Sequence, residues 1–236
     1  MLTDDILDRF QRIVGGGITT DESRWDFDYL FTLLNTYSRQ FLIEWFNGSK
    51  IQAANRSIPN QYVQEYFAEY DESFQDKGTD YVKFKVPISI SINGNTDGIR
   101  FSGTYTKTDK FDFSNVCAIS RVKDAHELSM LMQIRFTANR IKNGLKTVVL
   151  YDNAETDGGM GIAKVYGNTM LKNLYIRVVA KNPADIPTWN RDFHDYPMAD
   201  NHLDQIEQRI MQKLMPQKAQ IPDTTNNFSE QQQAQK

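Results

Sequence analysis

The clearest pattern along the chain is a strict alternation of apolar and polar residues between positions 82 and 92. The apolar members are Val82, Phe84, Val86, Ile88, Ile90 and Ile92. Because successive side chains of a β-strand point to opposite faces, this run predicts a strand with one buried and one solvated face. Pro87 has no N–H to donate to a neighbouring strand, so it places this strand at a sheet edge or at a bulge.

A turn-forming segment, NGNTDG (93–98), leads from this run into a second alternating run that contains Ile99, Phe101 and Tyr105. The two runs and the turn predict a β-hairpin. Further strands are predicted at 114–121, 146–151, 162–166 and 174–180. The middle of the chain, 78–182, is therefore predicted to be a mainly antiparallel β domain.

One segment of that region, 124–142, carries two conflicting signals. Asp124 and Glu127 have the spacing of a helix capping box. The apolar residues that follow alternate as in a strand: Leu128, Met130, Met132, Ile134 and Phe136. Giving more weight to the alternation, we predict a strand here.

Three segments have the apolar spacing of amphipathic helices. The first, 3–14, has Thr3 as its candidate N-cap and stops at Gly15–Gly17, which we interpret as a helix stop and hinge. The second, 19–46, begins with a capping box. The third, 200–214, ends just before Pro216.

The long second helix carries more apolar surface than one packing partner would cover. It is either the centre of its own domain or a helix shared with a neighbouring subunit. For the second alternative, the residues expected at the interface are Trp25, Phe27, Leu34, Phe41 and Trp45.

The predicted fold class is α+β, with four regions in chain order. Residues 1–77 form the N-terminal helical region and a connector, and 78–182 form the β domain. Residues 183–215 are a linker and the C-terminal helix. The tail, 216–236, is too polar to fold alone and is predicted to order on a partner through its isolated apolar residues. Those residues are Ile221, Pro222 and Phe228.

Composition and charge argue against several classes of function for this chain. The 236 residues carry a formal charge of −3 with scattered basic residues, which argues against nucleic-acid binding by this chain. The single cysteine, Cys117, excludes an internal disulfide, and we expect it to be a buried, inert thiol. No apolar run approaches the roughly 20 residues of a membrane span, and no signal segment is evident, so use without secretion is expected.

Candidate catalytic chemistry is sparse. The three histidines are His126, His194 and His202, and only His194 beside Asp195 suggests an acid–base pair. None has the spacing of a zinc motif, and the acidic loop 152–161 lacks the ligand order of an EF-hand. We therefore predict no catalytic residue, cofactor or metal, and no enzymatic activity.

In its order of segments the chain resembles the ring or adaptor proteins of the head-to-tail connector in podovirus-type tailed phages, especially the crAss-like phages. The segments that carry this resemblance are TTDESRWDFDYLFTLLNTYSRQFLIEWF (19–46), LYIRVVAKNPADIPTW (174–189) and DYPMADNHLDQIEQRIMQKLM (195–215), followed by IPDTTNN (221–227). Together with the central β domain they cover nearly the full chain.

The resemblance implies a non-enzymatic virion protein that is made in the host cytoplasm. Such a protein forms a ring with copies of itself below the portal protein, and the resemblance implies twelve copies. It lengthens the DNA channel, with genomic DNA only as passing cargo, and docks the tail proteins. The alternatives are a β-sandwich module that binds a ligand such as carbohydrate, and a hydrolase that uses His194 and Asp195. The sequence disfavours the sandwich module because the polar face of 82–92 carries Lys and Ser instead of aromatic residues.

Overall fold

The chain folds into helices and β-strands in an α+β arrangement, as predicted. The computed structural model of the protein describes residues 2–15, 26–52, 58–90, 98–105, 116–157 and 159–219. Within these ranges the α-helices are α1 (Thr3–Gly15), α2 (Phe27–Gln52), α3 (Ala125–Gln133), α4 (Arg135–Lys142) and α5 (Asp200–Ala219). The strands are β1 (Gln64–Glu69), β2 (Tyr81–Val86), β3 (Ile99–Tyr105), β4 (Val116–Ala118), β5 (Ser120–Val122), β6 (Val148–Asp157), β7 (Met160–Tyr166) and β8 (Asn173–Val178).

The strands form two four-stranded sheets. The first sheet has the order β1-β8-β3-β4 and the second has the order β2-β7-β6-β5. Every neighbouring pair is antiparallel except β5 and β6, which are parallel and are joined by the crossover that contains α3 and α4. The prediction of a mainly antiparallel β region is thus confirmed.

The two sheets share one apolar core and form a β-sandwich. The first sheet contributes Ala68, Ile99, Leu174, Ile176 and Val178. The second sheet contributes Val82, Phe84, Val86, Val149, Ala163 and Val165. These residues recur at every second position of their strands, so the period-two pattern does mark the buried faces. Lys83, on the opposite side of β2, forms an ion pair with Asp76, with 2.8 Å between Nζ and Oδ2.

The predicted hairpin between 82–92 and 99–105 is wrong. β2 pairs with β7 in the second sheet, whereas β3 pairs with β8 and β4 in the first. β2 ends at Val86, directly before Pro87, and is an edge strand, as the missing N–H of Pro87 predicted. Because Pro87 cannot continue the hydrogen bonding, the chain leaves the second sheet there and crosses to the first.

A strand was missed in the predicted connector, 47–77. Residues 64–69 form β1, which pairs along its whole length with β8. Its inward side chains include Tyr66 and Ala68, but charged residues alternate with them, which hid the strand from a search for apolar runs.

The acidic segment 152–161 connects two strands, as expected. β6 and β7 extend into it and pair at Asp157 and Met160.

A layer formed by α1, α2 and α5 packs against one end of the sandwich. Its own core includes Phe10 of α1, Leu34 of α2 and Ile206 of α5, all fully buried. Ile90 and Val179, which follow β2 and β8 respectively, belong to the same core and join the layer to the sandwich. Apolar residues of the three amphipathic helices therefore pack against one another within this chain.

Segment 124–142 forms two helices, so the strand predicted there is wrong. The capping box at Asp124 is the signal that agrees with the structure. The backbone N–H of Glu127 donates to Asp124 Oδ1 at 2.7 Å, and the N–H of Lys123 donates to Glu127 Oε2 at 2.7 Å. The alternation of Met130, Ile134 and Phe136 does not mark the buried face of a strand, because all three side chains are exposed.

Three helix ends differ from the predictions. Thr3 lies inside α1, where its hydroxyl donates to the carbonyl oxygen of His194 at 3.0 Å, so it is not the N-cap. α2 extends to Gln52, beyond Phe46. α5 continues through Pro216 to Ala219, so Pro216 does not end this helix. The capping box predicted at 19–22 and Gly16–Gly17 lie outside the described residues.

Candidate functional site

The predicted interface stripe on α2 lies in the core of this chain. Leu34 is fully buried and Phe41 is 6% exposed, and both pack against the other helices of the layer. Phe27 and Trp45 are half-buried against the same core. Of the two alternatives for α2, this geometry favours the centre of its own domain. The other predicted interface residues, Trp25, Ile221, Pro222 and Phe228, lie outside the described residues.

The pair of His194 and Asp195 serves a local turn. Nδ1 of His194 lies 3.0 Å from the backbone N of Asn190 and accepts its hydrogen bond. The carbonyl oxygen of Asp195 accepts a hydrogen bond from Nε1 of Trp189 at 3.2 Å. Both residues therefore take part in the hydrogen bonds that hold the turn between Trp189 and Asp195.

His202 is a core residue of the helical layer. Its ring is 6% exposed and lies between Phe41 and Trp45, with ring centroids 4.8 and 5.9 Å away. Its Nδ1 is 2.8 Å from the hydroxyl oxygen of Tyr62. Burial lowers the pKa of His202, so the neutral form is favoured in the folded protein. Among the residues that the structure describes, His, Cys, Asp and Glu form no cluster of three or more that could hold a metal.

A buried polar network joins the helical layer to the sandwich. The hydroxyl of Tyr196 donates to Asn35 Oδ1 at 2.7 Å, and Asn35 Nδ2 donates to Asn182 Oδ1 at 3.2 Å. Arg39 donates to the carbonyl oxygen of Lys181 at 2.5 Å. The cavity beside these groups has a volume of about 30 Å³, enough for a water molecule but too small for a substrate. The network therefore fixes the two layers relative to each other.

Three exposed apolar side chains lie close to the point where α3 meets α4. Met130 and Ile134 are each 54% exposed, and Phe136 is 72% exposed. The helices break at Ile134, whose backbone is extended, and this places the three side chains around the bend. Arg140 lies over the Phe136 ring, 5.7 Å from its centroid, which adds positive charge. We call Met130, Ile134, Arg135, Phe136 and Arg140 the corner patch.

The opposite side of the two helices anchors the corner patch to the second sheet. Leu128 and Ile141 are buried against Val148 and Leu150 of β6. After α4 the chain turns at Gly144 and passes so close to Gly167 that a side chain at 167 would meet the carbonyl oxygen of Lys146. The patch is thus held on a rigid support, and its exposed apolar side chains are available to a partner.

A second surface with aromatic side chains is the outer face of the first sheet. Tyr175 is fully buried there, with ring centroids 5.1 Å from Phe67 and 5.9 Å from Phe101. Gly103 lies opposite Tyr175 in the register of β3 and β8, and a Cβ at Gly103 would collide with the side chain of Val116. Tyr105 extends the group, 5.3 Å from Phe67. Burial raises the pKa of Tyr175.

Neither surface was identified from the sequence. The alternation of Met130, Met132 and Ile134 predicts a strand, and a strand at 124–142 would not form the corner patch. The capping box at Asp124 was the signal that could have revealed it: on a helix, residues at these positions cannot all face the core. Cys117, expected to be buried, is exposed on β4.

Comparison with protein families and with curated proteins identifies no relative of this chain. No protein family matches the chain, and no curated protein is significantly similar to it. None of the helices in the described part of the chain is long and apolar enough to cross a membrane.

Proposed function

We propose that the protein is a structural subunit of a tailed-phage virion that assembles into a ring in the head-to-tail connector. In this role the ring lies below the portal protein, lengthens the channel through which genomic DNA passes, and docks tail proteins. The proposal rests on the order of segments described above and on the exposed surface of the folded chain. By resemblance, we propose twelve copies in the ring.

The observation that carries the proposal is the corner patch. Three large apolar side chains more than half exposed at one helical bend are expensive to leave in water. A cluster of exposed apolar side chains on packed helices is typical of a protein–protein contact. A closed ring needs a contact of this kind, repeated from one subunit to the next.

The test is assembly of the purified chain, alone and with a candidate portal protein, followed by mass photometry and negative-stain imaging. The wild type should form rings or join the portal ring. The double variant Met130→Ser with Phe136→Ser should lose assembly while keeping its unfolding midpoint. Met170→Ser is the matched control, because Met170 is 86% exposed but lies outside the corner patch. A wild type that stays monomeric at high concentration and never joins a portal assembly contradicts the proposal.

A second candidate function is favoured by the aromatic face of the first sheet. Half-buried rings at Phe67, Phe101 and Tyr105 are a known means of stacking on sugar rings, and here they share one face. Titration calorimetry with a panel of soluble oligosaccharides tests it. Binding that Phe67→Ala removes and Phe136→Ala leaves unchanged supports this function; no heat with any oligosaccharide counts against it.

A further inference from the structure

A second exposed patch, opposite in charge to the corner patch, lies on the helical layer. Three carboxylates surround the Arg191 guanidinium: Oδ1 of Asp28 at 2.9 Å, Oδ1 of Asp4 at 3.4 Å and Oδ1 of Asp192 at 3.6 Å. One cation cannot neutralise three carboxylates, so this group keeps a net negative charge.

Exposed apolar side chains accompany these carboxylates. Phe193 is 75% exposed, Leu2 40% and Tyr29 36%. Leu2 pairs with Asp195 through an isolated β-bridge, which brings the start of the chain beside Phe193. We call Asp4, Asp28, Arg191, Asp192, Leu2, Tyr29 and Phe193 the Arg191 patch. Its carboxylates and exposed apolar side chains would complement a surface that carries basic and apolar side chains.

The corner patch is such a surface. The segment 123–146 contains five basic residues and two acidic ones. The two acidic residues, Asp124 and Glu127, are occupied by the capping box. Among the described residues, Arg135 has no carboxylate partner, and Arg140 contacts only the Phe136 ring with its guanidinium. The positive charge of the patch is therefore available to a partner.

The two patches lie toward opposite ends of the sandwich. β2 pairs with β7 from Tyr81, opposite Tyr166, to Val86, opposite Gly161. The α3–α4 pair packs at the Tyr166 end, whereas the helical layer packs on Ile90, beyond the Val86 end. The length of β2 corresponds to a separation on the order of 17 Å. Two different complementary surfaces at opposite ends of one molecule can bind head to tail.

We propose that the corner patch of one copy of this chain docks on the Arg191 patch of the next copy, as the repeated contact of the assembly. Phe136 and Ile134 pack against Phe193 and Leu2, and Arg135 faces the carboxylate group. The contact deepens the proposed function and rests on it. A symmetric contact of like patches would instead place Arg135 and Arg140 against their own copies, which repel.

The first experiment reverses charges on the full-length chain. One variant carries Arg135→Glu and Arg140→Glu, and the other carries Asp28→Lys and Asp192→Lys. Each variant alone should lose at least about tenfold in self-association affinity, because like charges then face each other. An equimolar mixture should regain assembly, since each reversed patch meets a reversed partner. Arg100→Glu, an exposed arginine outside both patches, is the control and should assemble as the wild type does.

The second experiment locates the contact by cysteine crosslinking. Cys117→Ser removes the native thiol, and Phe136→Cys and Phe193→Cys are introduced in separate copies. Oxidation of the mixture should give a crosslink between the two variants, and each variant alone should give none. A crosslink between two Phe136→Cys copies, or no crosslink in the mixture, contradicts the head-to-tail contact.

The outcomes separate this inference from the proposed function. Rings that persist in both charge-reversal variants overturn the inference and leave the ring function standing. A wild-type chain that never self-associates and never joins a portal assembly overturns both. Thermal unfolding of every variant shows that a loss of assembly does not come from a loss of fold.

Discussion

Gly167 occupies a position that no other residue can take without strain. Its φ is +90°, and a Cβ there would collide with the carbonyl oxygen of Lys146. Gly159 has a similar φ of +82°, but a Cβ there would meet no described atom within 4 Å. We expect Gly159→Ala to cost about 1 kcal/mol of unfolding free energy, from backbone strain alone. Gly167→Ala should cost about 3 kcal/mol, because the collision adds to the strain.

Urea unfolding of the two glycine variants and the wild type measures this difference directly. The Gly159→Ala variant is the matched control, since the conformational penalty is common to both. Equal losses of stability in the two variants would show that the close approach of Lys146 to Gly167 is not a constraint.

His202 should make the stability of the protein depend on pH. Burial holds its pKa below the usual 6.5, so the unfolded chain takes up the proton more readily than the folded chain. The stabilisation is complete above pH 6.5 and is lost as the pH falls through that value toward the folded pKa. The free energy of unfolding should therefore be lower at about pH 5.5 than at about pH 7.5.

Replacing His202 separates this effect from other titrations. His202→Gln keeps a hydrogen-bonding group near Tyr62 and removes the titrating ring, so the decrease in stability between the two pH values should shrink. His126→Gln, at an exposed position on α3, is the control and should leave the decrease unchanged. The role given to His202 is wrong if both variants keep the full pH dependence in denaturant titrations.

At the scale of the element, α3 depends on its N-terminal cap. Asp124 accepts a hydrogen bond from the N–H of Glu127 at 2.7 Å, and Ala cannot replace that acceptor. Asp124→Ala should destabilise the protein by about 1 kcal/mol. Ser129→Ala, exposed on the same helix, should change the stability by less than about 0.5 kcal/mol. Thermal or urea unfolding compares the two, and equal effects would mean that the cap is not what stabilises α3.

At the scale of the whole molecule, the tail should contribute to assembly and not to folding. Among the side chains that the structure describes on α5, the buried apolar ones are Leu203, Ile206, Ile210 and Leu214, and all of them precede the truncation point. Truncation after Ala219 should therefore leave the free energy of unfolding within about 0.5 kcal/mol of the full-length value. It should weaken assembly, because Ile221, Pro222 and Phe228 are the predicted anchors on a neighbouring subunit or ring.

Two further measurements test the tail. The full-length variant Ile221→Ser with Phe228→Ser should weaken assembly as the truncation does, since it removes the anchors and keeps the chain length. Amide hydrogen exchange after residue 219 should be fast in the isolated chain and slower in the assembly. Assembly that is unchanged by truncation, or exchange that stays fast in the assembled protein, would assign the tail no role as an anchor.

The sequence by itself determined the elements whose signal is local. Helices α1, α2 and α5 and most strands follow from the spacing of apolar residues, because that spacing repeats with the backbone period. It also determined the edge position of β2, since Pro87 lacks its N–H whatever surrounds it. The α+β class follows from these elements alone.

Only the tertiary structure decided which elements meet. β2 and β3 follow one another with a turn-forming sequence between them, yet they lie in different sheets, because pairing depends on residues of β7 and β8 far along the chain. The same holds for the candidate site. Met130, Ile134 and Phe136 alternate in the sequence, and only the packing of Leu128 and Ile141 on β6 leaves them exposed. The Arg191 patch combines residues 2–29 with residues 191–193, and no local sequence pattern contains this juxtaposition.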